Sequence, residues 1–216
     1  MNWESLRLKY NKYKRKIMAK KNSSKISDGN FTIISNNCWG GMIYESYNLP
    51  KNSPTVGLYF MPKDYIKFLK NLKEYVSVEI EFIEPSKSKY EKVLKKDHRF
   101  GKYPIGKLKD IEIMFLHYKS KEEAREKWNR RCKRINWNKL LIKFNDQNGC
   151  TEEEVYEFYS LPYKNKLFFT VKDWDVKKVD GYYKIKQYTS DDYVTASHEP
   201  WGKNSYVNLE KIINNL

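Results

Sequence analysis

Phe31-Thr-Ile-Ile-Ser-Asn-Asn-Cys-Trp-Gly-Gly41 opens as a short, β-branched apolar run and closes on polar residues and paired glycines. The first half predicts a buried strand. The second predicts a loop whose backbone bends sharply. In an open α/β sheet, ligands gather where strand ends meet such loops. This stretch therefore sets both the fold class and the place to look for a site.

Further along the chain, Thr55–Phe60 predicts a second strand, and Pro62 opens a helix with Tyr65, Phe68, Leu69 and Leu72 on its buried face. The alternation of Val76, Val78, Ile80 and Phe82 predicts an edge or half-exposed strand. Ile111–Tyr118 is apolar nearly throughout and predicts a mid-sheet strand. A helix from about Lys121 to Arg134 follows, with Ala124, Trp128, Cys132 and Ile135 inward. Then come the run Leu140–Phe144, a capping box at Thr151–Glu154 and a strand over Leu167–Val171. A hairpin is expected around Gly181 and a last helix from near Ser205. Strands alternating with helices of about three turns predict an α/β fold, its mostly parallel sheet flanked by helices. The expected organisation is a basic helix and linker over residues 1–25, then one α/β domain over 26–216 whose tail from about 175 is less regular.

The chain has 216 residues, 40% apolar and 16% aromatic, with a formal net charge of +15. That composition supports a packed core and excludes global disorder. The charge points to an anionic partner: nucleic acid, a phosphate-bearing substrate or an anionic membrane face. No helix-turn-helix, RNP or zinc-finger pattern accompanies it, so nucleic-acid binding is not expected. Cys38, Cys132 and Cys150 fit neither a disulfide framework nor a zinc pattern, so no metal is expected and a reducing cytoplasm is. No apolar run reaches the length of a membrane span and no signal peptide opens the sequence, so a soluble or peripheral protein is expected.

Trp3, Leu6, Tyr10, Tyr13 and Ile17 recur at steps of three and four among many lysines. Such a helix either rests on an anionic membrane or packs its stripe on the domain. Packing is the expectation, because aromatic stripes at helical spacing are more often core.

A parallel sheet would bring the carboxyl ends of its strands to one rim. That rim would collect Ser35, Asn36, Asn37 and Cys38, then His117, then Asn145 and Asp146, then Asp173 and Trp174. Cys38 and His117 would form a nucleophile–base pair oriented by Asp146 or Asp173, with the thiol pKa lowered. Gly40 and Gly41 would offer oxyanion-binding amides. Alternatively Asn36, Asn37 and the two glycines would bind sugar hydroxyls or a phosphate, with Trp39 and Trp174 stacking on a sugar ring. Arg130, Arg131 and Arg134 form a basic cluster suited to phosphate. Of these, Arg131 lies beside the Trp128–Cys132 face, where a charge needs a partner.

The runs Ile34-Ser-Asn-Asn-Cys-Trp-Gly-Gly41, Leu49-Pro-Lys-Asn-Ser-Pro-Thr-Val-Gly57, Tyr103-Pro-Ile-Gly106 through His117-Tyr-Lys-Ser120, and Lys127-Trp-Asn-Arg-Arg131 with Arg134-Ile-Asn136 resemble a bacterial family of unknown function labelled exopolysaccharide biosynthesis proteins. The resemblance covers roughly residues 30–175. It implies an α/β fold and a place in capsule or surface-polysaccharide gene clusters. It implies no established reaction, although some relatives carry acetyltransferase labels. The resulting expectation is a cytoplasmic protein, peripheral to the inner membrane face, that modifies a phosphorylated, nucleotide-linked or lipid-linked sugar by group transfer. The competing expectation is a non-catalytic component that binds a glycan or lipid carrier and is recruited to the membrane by its basic first helix. No cofactor or oligomeric state follows from the residues.

Overall fold

Two sheets of opposite character organise the chain. The computed structural model describes residues 3–176, 180–186 and 192–216, without the side chains of residues 3–5, 7 and 8. The larger sheet has four parallel strands in the order β1 (Thr32–Ser35), β5 (Leu140–Asn145), β6 (Lys166–Thr170), β7 (Tyr182–Lys184). The smaller is antiparallel: β2 (Glu81–Ile83), β3 (Ile105–Leu108), β4 (Ile111–Met114). The α/β expectation holds, with a mostly parallel sheet flanked by helices and a basic helix, α1 (Trp3–Ser23), at the N-terminal end.

β1, β5 and β6 are buried almost throughout, as parallel strands covered on both faces must be. α2 (Trp39–Ser46) packs close on β1, where a Cβ on Gly40 would lie 3.1 Å from Ile33 Cγ2, and close on the connection that follows it, where one on Gly41 would lie 2.9 Å from Val56 Cγ1. The free edge of β1 is covered by the connection that follows α2. There Thr32 Oγ1 donates to the Asn52 carbonyl at 2.8 Å, and the Ser35 amide donates to Thr55 Oγ1 at 3.1 Å. An edge treated this way presents no template for another chain.

α3 (Pro62–Lys70) starts on Pro62 as expected and buries Tyr65, Phe68 and Leu69. The Tyr65 hydroxyl bridges the larger sheet, donating toward the carbonyls of Ile34 (2.9 Å) and Lys143 (2.8 Å). α4 is the short turn Leu72–Tyr75, and α5 spans Glu91–Leu94. α6 (Lys121–Cys132) turns Ala124 and Trp128 into the main core, and α7 (Glu152–Ser160) begins with the expected Thr151–Glu154 capping box. α8 (Leu209–Asn214) is shorter than predicted and packs on the β1–α2 side of the larger sheet.

Several expectations fail. Ile111–Tyr118 is not mid-sheet in the parallel array. Only Ile111–Met114 is a strand, and it borders the antiparallel sheet. Its apolar residues are buried because α3 and α6 cover it, not because strands flank it on both sides. Thr55–Phe60 makes a single bridge, Tyr59 to Met114, rather than a strand. Of Val76–Ile83 only Glu81–Ile83 pairs. Gly181 leads into β7 parallel to β6 and not into a hairpin; residues 177–179 of that region lie outside the described residues.

The stripe on α1 also disagrees with the expected packing. Tyr10, Tyr13 and Ile17 are 62%, 65% and 57% exposed, and Leu6 is 39% exposed. The side of α1 that meets the body carries Arg15, Met18, Ala19 and Asn22, with Asn22 Nδ2 donating to the Ser46 carbonyl at 3.3 Å. The Trp3 side chain lies outside the described residues.

Candidate functional site

The carboxyl ends of the parallel strands do converge, but the chain itself fills the crevice they form. Residues 194–200 lie across that rim. Asn145 Nδ2 donates to the Val194 carbonyl at 2.7 Å, the Val194 amide donates to Asp146 Oδ1 at 3.2 Å, and Trp39 Nε1 donates to the Pro200 carbonyl at 2.9 Å. Beneath this cover Lys143 and Glu199 form an ion pair with both side chains wholly buried. Asn37 bridges the pair: its Oδ1 accepts from Lys143 Nζ at 3.0 Å and its Nδ2 donates to Glu199 Oε1 at 3.2 Å. Asn36 Nδ2 donates to Asn145 Oδ1 at 2.7 Å, and Ser35 Oγ donates to Asn37 Oδ1 at 3.3 Å. Burial pulls the Lys143 ammonium down to about 8 despite Glu199, and pushes the Glu199 carboxyl upward.

Ser35, Asn36, Asn37 and Asp146 are thus committed to the fold. Asp146 accepts from Thr170 Oγ1 at 2.6 Å and from the Val171 amide at 2.9 Å, and no hydrogen bond joins it to His117. Trp39 is fully buried, edge-on to Phe169, and is no stacking platform. Trp174 Nε1 donates to Thr170 Oγ1 at 2.8 Å, and its ring packs on Phe168. Asp173 pairs with Lys184 at 2.5 Å.

Beside this plug lies an open pocket of about 350 Å³, within the usual range for small-molecule sites. Cys38, Gly41, Met42 and Glu45 of the α2 region form one wall; Val56, Gly57, His117 and Tyr118 form another. α6 contributes Lys127 and Arg131, α1 contributes Lys12 and Arg15, and Lys51 completes the lining. His117 and Gly41 therefore line one pocket, His117 following the small sheet rather than a central parallel strand, and Gly41 lying in the first turn of α2 rather than in a bend. Gly57 makes the approach possible: its φ is +79°, and a Cβ there would lie 3.2 Å from the Tyr118 ring. The His117 amide donates to the Gly57 carbonyl at 3.0 Å.

A larger groove of about 620 Å³ runs between α1 and residues 197–206. It collects none of the candidate residues. The smaller pocket carries the chemistry.

The pocket is strongly cationic. Five lysines and arginines line it against one carboxylate, Glu45, which pairs with Lys51 at 2.6 Å. Lys127 pairs with Glu123 on its own helix. Arg131 is only 7% exposed, yet among the described residues it has no carboxylate partner. Its Nη1 donates to the Tyr118 hydroxyl at 2.5 Å and to the Val56 carbonyl at 3.3 Å. A buried guanidinium satisfied on one side and facing a pocket on the other is a ready anion anchor. Arg130, by contrast, is exposed and pairs with Glu126 at 2.5 Å, away from the pocket.

The positive field and partial burial act on the neighbouring groups. His117 is held below the usual imidazole range, first by desolvation and then by Arg99 and Lys12, so it is neutral near pH 7. Its imidazole has no hydrogen-bond partner among the described residues. Cys38 departs from its expected role: burial pushes its thiol up to about 12, and the thiol points to the Leu58 carbonyl at 3.7 Å. An unactivated, protonated thiol is no nucleophile. Gly40 serves the close α2–β1 packing and Gly41 the approach of Val56, although as the second and third residues of α2 their amides lie in a turn without intrahelical acceptors.

Two features of the site were missed from the sequence. Lys143 sits inside the apolar run Leu140–Phe144, and a lysine in a strand otherwise buried on both faces is itself a signal of a buried partner. Lys12 and Arg15 gave no such signal, since nothing local distinguishes the lysines of α1 that reach the pocket from those in solvent. Among the described residues no cluster of histidine, cysteine, aspartate or glutamate is placed to hold a metal.

Comparison with known proteins shows a family of unknown function, over more of the chain than residues 30–175. An uncharacterized protein of Haemophilus influenzae is 35% identical over 182 residues, covering 84% of this chain and 82% of the relative. A family model described as a domain of unknown function, DUF1919, matches residues 9–214, taking in most of α1 and the tail that plugs the rim. The chain belongs to this DUF1919 family.

Proposed function

We propose that the cationic pocket binds the phosphate of a phosphorylated or nucleotide-linked sugar, and that the chain is a transferase acting on that sugar in surface-polysaccharide biosynthesis. The observation that carries this reading is Arg131, a buried guanidinium with no carboxylate partner among the described residues, bordering an open pocket with Lys12 and Arg15. A phosphate would satisfy the donors that the protein leaves open. His117, neutral at the pocket mouth, is the base. It takes the proton of a sugar hydroxyl while that oxygen bonds to the donor's electrophilic carbon, and the leaving group departs with the old bonding pair. The pathway assignment draws on the family resemblance alone.

A non-catalytic reading draws on a specific feature: among the described residues His117 has no carboxylate to orient it, and Cys38 is protonated. On that reading the same pocket binds the phosphorylated glycan, or a lipid carrier's phosphate, without turnover.

Thermal shift with UDP-glucose, glucose 1-phosphate and free glucose tests the phosphate. The two phosphorylated probes should raise Tm and glucose should not, with the shift lost in Arg131→Gln and reduced in Lys12→Gln/Arg15→Gln. No shift in wild type, or an undiminished shift in both variants, overturns the reading. His117→Gln should keep the shift under either reading; only the transferase reading expects it to lose turnover.

A further inference from the structure

We infer that the outward face of α1 docks on an anionic lipid bilayer. The helix presents two faces of opposite kind. The inner one, through Arg15, Met18, Ala19 and Asn22, rests on the body beside α2. Directly opposite, at steps of three and four, stand Leu6, Tyr10, Tyr13 and Ile17, the last three each more than half exposed. At 100° per residue, Lys9 and Lys20 flank this stripe on one side and Lys14 and Lys21 on the other, all exposed. Placing tyrosine, leucine and isoleucine in water while asparagine and arginine face the body is unfavourable unless something covers them.

The charge pattern chooses the cover. A second copy of the chain would bring the same lysines against each other and be repelled. A nucleic acid would satisfy the lysines but leave Leu6 and Ile17 in water. An anionic bilayer satisfies both: the lysines meet lipid phosphates, and the apolar stripe enters the boundary between headgroups and acyl chains, where tyrosine is favoured. No helix of the described residues is long and apolar enough to cross a membrane, so the contact is interfacial. Because Lys12 and Arg15 of this same helix line the cationic pocket, docking would hold its mouth near the lipid surface. The inference stands independently of the pocket's ligand.

Co-sedimentation of the full chain with phosphatidylcholine vesicles, with and without about 30 mol% phosphatidylglycerol, tests it. Wild type should partition at least about tenfold more strongly onto the anionic vesicles, and less as salt is raised. Tyr10→Ser/Tyr13→Ser/Ile17→Ser should lose that binding with unchanged circular dichroism and Tm, since all three side chains are more than half exposed. Lys9→Gln/Lys14→Gln/Lys20→Gln/Lys21→Gln should lose the dependence on phosphatidylglycerol. Absence of wild-type binding, or undiminished binding by the triple serine variant, overturns the proposal. So does a wild-type dimer that the triple variant dissociates, which would assign the stripe to a second copy. Failure here leaves the UDP-glucose experiment untouched, and failure there leaves this one untouched.

Discussion

Lys143 and Glu199 meet as an ion pair across 56 residues of sequence, with neither side chain exposed. Lys143 comes from the centre of β5, and Glu199 comes from the segment that lies over the strand ends. The pair and its bridge, Asn37, tie the tail to the rim and close the crevice where an α/β sheet would ordinarily take a ligand. One oxygen, Glu199 Oε2, has no hydrogen-bond partner among the described residues. Such a pair is held together by the cost of leaving either charge alone. Lys143→Met should therefore destabilise the fold by about 3–5 kcal/mol, because the Glu199 carboxylate is left buried and unpaired. The double variant Lys143→Met/Glu199→Leu should recover most of that loss. Urea denaturation of the three proteins checks both statements. A double variant no more stable than the single one would mean that the hydrogen bonds to Asn37, not the charges, hold the tail.

The same plug explains how far the sequence could be read. The buried strand that opens Phe31–Gly41, the helix opened by Pro62, the Thr151–Glu154 cap and the α/β class follow from local rules that tertiary packing did not override; the sharply bent loop expected after that strand does not, because Trp39, Gly40 and Gly41 already form the first turn of α2. Cys38, Gly41, His117 and Arg131 were all candidates and do share a pocket. What could not be read was what lies over the rim, because Glu199 and Val194 reach it from a stretch with little periodicity. The polar residues Ser35, Asn36, Asn37 and Asp146 looked like ligand groups; Asn37 and Asp146 hold the chain's own tail, and Ser35 and Asn36 brace the rim beneath it through Asn37 and Asn145. Ile111–Met114 misled for another reason. An apolar run reports burial, and burial by helices reads the same as burial by neighbouring strands.

Gly181 marks the entry to the edge strand β7. Its φ is +89°, and a Cβ there would stand 2.0 Å from the Lys166 carbonyl oxygen. Its own carbonyl accepts from the Phe168 amide at 2.7 Å. Gly181→Ala should therefore strip β7 from β6, costing more than about 1 kcal/mol, with the strain and the lost pairing acting together. Hydrogen exchange should locate the damage: protection of the Phe168 amide should fall while the β1–β5 amides keep theirs. Uniform loss across the sheet would show that β7 is integral to the core rather than a peelable edge.

Cys150 is buried and Cys38 and Cys132 are half-buried, and desolvation raises the pKa of all three thiols, to about 12 for the latter two, against an ordinary 9.0. The native state therefore keeps its thiol protons longer than the unfolded chain. This contribution to stability is fully present below pH 9 and is lost as pH rises through 12. Denaturation midpoints should fall over that alkaline window, and less steeply in Cys38→Ala/Cys132→Ala. Iodoacetamide at pH 8 should label native protein far more slowly than protein in urea. Rapid native labelling of Cys38 would restore it as a nucleophile.

His117 gives the pocket a readout of its own. Desolvation, Arg99 and Lys12 hold its imidazole below 6.5 in the free protein. A bound phosphate would set negative charge against that field and raise the pKa, so binding should draw a proton onto the ring. By linkage, the phosphate should bind more tightly as pH falls through the pKa of the bound state, until the phosphate itself protonates. An NMR titration of the His117 ring protons should show a midpoint below 6.5 alone and an upward shift on adding UDP-glucose. Arg131→Gln should abolish the UDP-glucose-induced shift through lost binding. An imidazole whose midpoint ignores UDP-glucose while the protein demonstrably binds it would place the phosphate elsewhere and remove His117 from the site.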